Sequence, residues 1–185
     1  MNTDTKEGFI VDPGGDALKI STNVSDMEMT PKAILLTHGH YDHIAAVDAL
    51  KKRYNIPVIA SEAEDMLLVN QRANLSVMFG EPVTVCADRF LRDGEALTVA
   101  DISMKFILTP GHTKGSGCYY LAENEVLFSG DTLFHASRGR TDFPGGSEAA
   151  IIRSIKEKLL TLPGETEVYP GHMDMTTIDS EKVYY

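Results

Sequence analysis

The sequence holds no tryptophan and only two cysteines, Cys86 and Cys118, in 185 residues. Two cysteines cannot build the bridged framework on which small secreted domains rely, and reduced thiols suit a cytoplasmic protein. The opening stretch MNTDTKEGFIV is polar and lacks the apolar segment of a signal peptide. No apolar run approaches the roughly 20 residues that cross a bilayer, so no membrane partner is expected. Positive charge is scarce as well. Seventeen lysines and arginines stand against 27 aspartates and glutamates, a formal net charge of −10. Such a surface repels phosphate backbones, which excludes nucleic acid as a general partner. There is no fixed-period repeat and no low-complexity tract, so neither a solenoid nor a disordered tail is expected.

What remains is an ordinary globular composition, 43% hydrophobic and 24% charged, long enough to bury a core without staples. One domain over residues 1–185 is expected. Phe9, Ile10 and Val11 read as a strand running into the Pro13-Gly14-Gly15 turn. ALKISTNVSDMEM suits a helix, KAILLT a buried strand, IAAVDALKKRYN an amphipathic helix starting after His43, and IPVIAS another strand. A short helix and irregular chain fill residues 61–81. PVTV, ALTVADISMKFILT, GCYYLA and EVLFSG are β-rich runs. GSEAAIIRSIKEKLLTLPG carries a helix with Ser147 as its N-cap, and EVYPGH closes as a strand and turn. Strands and helices alternate at both ends while strands dominate the middle, which favours a layered α/β sandwich.

Five of the six histidines share one setting, an apolar run followed by a turn and then the imidazole. ILLTHGHYDH carries His38, His40 and His43, FILTPGHTKGS carries His112, and EVYPGH carries His172. VLFSGDTLF delivers Asp131 in the same way, while His135 stands apart as a surface bystander. A chance match to His-x-His-x-Asp-His in a chain of this composition is roughly one in two thousand. Imidazoles and carboxylates on rigid strand ends are what a hydrolytic divalent metal needs. His38 and His40 can reach one ion, Asp42 and His43 can turn to a second, and a carboxylate such as Asp131 can bridge two. Structural zinc sites are usually cysteine-rich and closed, unlike this set. Nitrogen and carboxylate donors suit zinc, iron or manganese.

THGHYDH, TPGHTKGS, FSGDTLF and YPGH together resemble the metallo-β-lactamase superfamily, and GRTDFPGG at 139–146 resembles its small glyoxalase II-like branch of hydroxyacylglutathione hydrolases. The resemblance implies a four-layer αββα sandwich with two metals at one edge. His38, His40 and His112 would hold the first ion, Asp42, His43 and His172 the second, and Asp131 and a hydroxide would bridge them. The implied reaction is hydrolysis of a glutathione-type thioester by that hydroxide, on two divalent ions, zinc first among the candidates. Asp42 would orient the hydroxide or take its proton. Arg140 is the candidate cation for a glutathione carboxylate, with Arg138 behind it. A related persulfide dioxygenase would use one iron on His38, His112 and Asp131, and a metal-binding but inactive protein is the third reading. An aspartate at 131, where several β-lactamases of the superfamily carry a cysteine, argues against lactams.

The chain departs from that family in three places. Relatives usually begin with a β hairpin before the GFIVDPGG strand, whereas only MNTDTKE precedes it here, so the hairpin is expected to be lacking. An edge strand left bare exposes a backbone ladder, so either a fragment of a longer chain, a shortened form, or a homo-oligomer that covers the edge is expected. Ala45 stands where glycine is common, His135 and Arg138 where small or apolar residues are usual, and HMDM follows the last ligand.

Overall fold

A computed structural model describes residues 1–79 and 82–185. The chain runs β1 (Glu7–Val11), α1 (Ala17–Asp26), β2 (Thr30–Leu35), α2 (Tyr41–Ile44), α3 (Val47–Tyr54), β3 (Val58–Ser61), α4 (Asp65–Leu68) and α5 (Ser76–Phe79). There follow β4 (Arg89–Leu91), β5 (Ala96–Val99), β6 (Ile102–Leu108), β7 (Gly117–Leu121), β8 (Val126–Gly130), β9 (Leu133–Phe134) and β10 (Ser137–Arg138). The last elements are α6 (Glu148–Ser154), β11 (Glu167–Pro170), β12 (Thr176–Thr177) and α7 (Ile178–Glu181).

Two sheets form the middle of an α/β sandwich. The first is parallel throughout, in the order β1-β2-β3-β4. The second is mixed, in the order β12-β11-β8-β7-β6-β5, with β11 parallel to β8 and the other neighbours antiparallel. The period-2 alternation of a strand divides the core. Ala33 and Leu35 of β2 face the second sheet and pack in one cluster with Leu97, Phe106 and Tyr119. Ile34 lies on the opposite face and packs with Val24 of α1 and with Val47 and Leu50 of α3. On the outer face of the second sheet, Leu127 and Val168 meet Ile151, Ile155 and Leu159, spaced every four residues. Burying each of these large side chains is worth about 1.5–3 kcal/mol. Ser147 caps α6 by accepting from Ala150 N at 3.3 Å, and the helix continues through a π-helical turn at Ile155–Leu159.

Two expectations are corrected. PVTV forms no ladder, because neighbouring side chains take up its backbone. Val83 N donates to Ser76 Oγ, Asn74 Nδ2 donates to the Val83 carbonyl, and Val85 N bonds to Leu68 O, which lets the buried Val85 pack among the helices. The helix expected after His43 begins earlier, at Tyr41, and so carries Asp42 and His43. It breaks at Ala45–Ala46, where Ala46 N leaves the helical ladder for Pro13 O. Short β4, β9, β10 and β12 gave no periodic signal in so few residues. β1 is an edge strand that pairs only with β2 among the described residues. No helix of the described residues is long and apolar enough to cross a membrane.

Candidate metal centre

The seven residues singled out by the sequence converge from loops at the C-terminal ends of four strands. β2 leads to His38, His40 and α2, β6 to His112, β8 to Asp131 and β11 to His172. Two glycines let these ends meet. Gly130 has φ +48°, and a Cβ there would lie 2.2 Å from Thr37 Oγ1. A Cβ at Gly171 would lie 2.4 Å from Asp131 Oδ1 and 2.6 Å from His43 Cε1. A side chain at either position would drive the ligand loops apart.

The donors sort into two sets. Single donor atoms of His38, His40 and His112 lie within 4.8 Å of one another, as do those of Asp42, His43 and His172. His40 Nδ1 approaches His112 Nε2 to 2.8 Å. The Asp131 carboxylate stands between the sets. Its Oδ2 is 3.6 Å from His112 Nε2 and 3.5 Å from His172 Nε2, and its Oδ1 is 3.3 Å from His43 Nε2. Asp42 Oδ2 lies 3.2 Å from His172 Nε2 and 3.9 Å from His43 Nε2. His38, His40, His43, His112 and Asp131 are buried, whereas Asp42 and His172 are exposed.

The chemistry of the set fits divalent metals. Five buried side-chain nitrogen or oxygen atoms among the described residues lack a hydrogen-bond partner. Four are His38 Nε2, His40 Nε2, His43 Nε2 and Asp131 Oδ1. Orphaned buried polar atoms are rare in native proteins, and their concentration in one cluster of donors fits a cation. Burial, reinforced by neighbouring imidazoles, holds His38 well below the usual imidazole range and brings His40 down to about 4. Burial also lowers His112, against the pull of Asp131. These three rings therefore present lone pairs near neutrality. Burial opposes protonation of His43 too, but its hydrogen bond to Asp12 and the negative charges of Asp12 and Asp131 outweigh it and raise His43 to about 10. Asp131 is held low: burial would raise it, and His43, His112 and His172 more than offset that.

Two partners behind the donors escaped the sequence reading. Asp12 accepts from Thr37 N at 2.7 Å and from Thr37 Oγ1 at 2.6 Å, and its Oδ2 is 3.0 Å from His43 Nδ1. Thr37 Oγ1 in turn meets His38 Nδ1 at 3.1 Å. One carboxylate thus orients a histidine of each set, as outer-sphere partners of metal ligands commonly do. Its signal was present, since Asp12 follows the FIV strand just as Asp131 follows VLFSG. The second partner is the Arg140 carbonyl, which receives a hydrogen bond from His112 Nδ1 at 2.7 Å.

A cleft of about 560 Å³ opens over the centre, walled by Leu75, Phe134, Phe143 and Met173. Arg138 and Arg140 also line it, but both are engaged. Arg140 holds Asp142 through two bonds, the Nε one at 2.6 Å, and stacks 4.0 Å above the Phe143 ring. Arg138 pairs with Glu148. His135 is exposed and absent from this lining.

Comparison with known proteins agrees with this geometry. The sequence model described as "Metallo-beta-lactamase superfamily" matches residues 3–172. The "Probable metallo-hydrolase YqgX" of Bacillus subtilis is 39% identical over 94% of this chain and 83% of its own length. "Hydroxyacylglutathione hydrolase GloC" of Haemophilus influenzae is 36% identical over 97% of this chain and 86% of its own. Among solved structures, the BLEG-1 B3 metallo-beta-lactamase superposes with TM-score 0.93 at 42% identity, over 99% of this chain and 89% of that one. TTHA1623 in a di-iron-bound form superposes with TM-score 0.83 at 34% identity, over 93% and 85%.

Proposed function

The chain belongs to the metallo-beta-lactamase superfamily, and from that membership we propose that it hydrolyses thioesters of glutathione type at a two-metal centre. The observation that carries the reading is the Asp131 carboxylate between two separate donor sets. His38, His40 and His112 would hold one ion, Asp42, His43 and His172 the other, and Asp131 both. Two divalent ions so held supply Lewis acidity, making a water nucleophilic at neutral pH and neutralising charge on the carbonyl oxygen. The di-iron form of TTHA1623 supports two ions, and GloC supports the thioester. Zinc, iron and manganese all suit the donors.

The protein's own groups do the rest. The water oxygen bonds to the thioester carbon, the C–S bond breaks, and the thiol leaves carrying a proton. Asp42, half-open to the cleft beside His172, is the group able to accept the water's proton. Asp12 keeps the His43 ring turned inward, and the Arg140 carbonyl fixes His112. Phe134, Phe143, Leu75 and Met173 exclude water around the acyl group. Arg140 would exchange Asp142 for a carboxylate of the glutathione moiety.

The test loads chelator-stripped protein with zinc, iron or manganese, and assays lactoylglutathione, a β-lactam, and oxygen uptake on glutathione persulfide. Turnover of the thioester above the other two supports the proposal. Preferential lactam turnover would transfer the assignment to the activity named for BLEG-1, and oxygen uptake with iron would transfer it to a dioxygenase.

A further inference from the structure

Glu64 is a buried acid that plays no part in the chemistry above. It ends the short 3-10 turn Glu62–Glu64 that follows β3, and its relative exposure is 1%. Among the described residues no cation pairs with it. Its partners are three uncharged donors: Gly39 N to Oε2 at 2.9 Å, Gly115 N to Oε1 at 2.8 Å, and the Thr113 hydroxyl to Oε1 at 2.7 Å. The Ser116 hydroxyl lies 2.7 Å from Thr113 Oγ1 and accepts from Thr113 N at 3.0 Å, so a short relay ends on the carboxylate.

The positions of those donors matter more than their number. Gly39 stands between His38 and His40, and Thr113 follows His112. All three members of the buried histidine set therefore neighbour a residue bonded to one carboxylate. That carboxylate joins the loop after β2 to the loop after β6, which no backbone ladder joins at the histidines themselves. The contact is close-fitting, since a Cβ at Gly115 would lie 2.6 Å from Glu64 N and 2.7 Å from Glu64 Oε1. Burial pushes the Glu64 carboxyl above its ordinary range while the three donors pull it back. A buried acid is costly to keep unless its bonds are specific. An acceptor-only group suits this place, because an amide nitrogen in the position of either oxygen would face a backbone N–H, that of Gly39 or that of Gly115.

We infer that Glu64 is a positioning residue for the three-histidine side of the metal centre. Its carboxylate holds His38-Gly39-His40 and His112-Thr113 in one register, so the imidazoles converge before an ion arrives. The inference rests on the metal-centre part of the function proposed above and not on the thioester.

Glu181 provides an internal control. It is equally buried and accepts from Ala136 N at 2.9 Å and from the Thr176 hydroxyl at 2.6 Å, but it adjoins no histidine of the cluster. The experiment is competition between a chromophoric chelator and stripped protein for Co²⁺, with the visible absorption of bound Co²⁺ recorded. Wild-type uptake must come first; without it the metal centre itself fails, before any variant is made and without reference to substrate. Glu64→Gln is expected to weaken the tighter Co²⁺ equivalent by about 10–100-fold and to alter its spectrum. Glu181→Gln should stay within about twofold of wild type. Affinity of Glu64→Gln within twofold of wild type, or equal losses in both variants, overturns the inference. Should Glu64→Gln not fold, Thr113→Val against Thr113→Ser decides. The inference requires loss in the valine variant and recovery in the serine variant, and wild-type affinity in the valine variant refutes it.

Discussion

The two halves of the centre are built differently. On one side His38, His40 and His112 are 1–3% exposed and depressed in pKa by burial. On the other, only His43 is buried, while the side chains of Asp42 and His172 keep 57% and 48% of their exposure. The first set is a neutral, desolvated socket whose rings are fixed from behind by Thr37 and the Arg140 carbonyl. The second is a rim in which one fixed imidazole is joined by two solvent-exposed side chains. Preorganisation lowers the cost of ordering ligands around an ion. The socket should therefore bind first and release last, and the rim should carry the exchangeable ion beside the substrate.

The largest effect should come from Asp131, whose carboxylate stands between the donors of both halves. Asp131→Ala should lower thioester turnover by about three orders of magnitude, the several kcal/mol that Lewis-acid stabilisation supplies. Metal content should fall below two equivalents by elemental analysis. His135→Ala, on an exposed side chain outside the cleft lining, should change neither. Equal losses in the two variants would remove Asp131 from its place between the halves.

A smaller effect separates the halves by pH. An ordinary imidazole of pKa 6.5 is roughly nine-tenths protonated at pH 5.5. His40, at about 4, stays almost wholly neutral there, so protons compete weakly for the socket. His43, raised to about 10, must give up a proton to bind, and affinity on the rim falls as pH drops. Dialysis against a mild chelator should leave two equivalents at pH 8 and one at pH 5.5. Loss of both ions together would erase the distinction. Folding of the metal-free protein should follow the same signs. The depressed histidines cost stability as pH falls below 6.5, because only the unfolded chain accepts those protons. The stabilisation from His43 is complete below 6.5 and is lost as pH rises through about 10. A thermal midpoint for the metal-free protein that rises on acidification from 6.5 to 5 would contradict the socket's depressed pKa values.

These contrasts explain what the sequence disclosed. Strand ends carrying His38, His40, His43, Asp131, His112 and His172 were legible because apolar runs followed by glycine turns are local signals. The layering was legible from the order of strand and helix runs, and the unbroken apolar run of KAILLT fits a strand covered on both faces, Ile34 on one and Leu35 on the other. The supports behind the donors were not. Glu64 reaches its partners across 25 to 51 residues, and nothing in SEAED distinguishes it from its exposed neighbour Glu62. PVTV misled because its backbone bonds go to Asn74 and Ser76 side chains, which strand propensity cannot anticipate. The break between α2 and α3 depends on Pro13, a residue remote in sequence.

The smallest expected effect lies at the outer wall of the cleft, on Arg140. Its side chain is 58% exposed and already paired with Asp142. A charge-assisted bond to a carboxylate is strong where water is excluded. An exposed pair is worth much less, because water screens it. A substrate carboxylate must also displace Asp142. Arg140→Ala should therefore raise KM for glutathione thioesters by roughly fivefold, at unchanged metal content. Metal content should hold because His112 bonds to the Arg140 backbone carbonyl, which alanine keeps. Asp142→Asn should shift KM the opposite way, by freeing the guanidinium. A small neutral thioester should respond to neither change. If Arg140→Ala strips metal from the protein, the side chain supports the socket instead of binding substrate. If both variants leave both substrates unaffected, the glutathione moiety contacts another wall of the cleft while the two-metal reading stands.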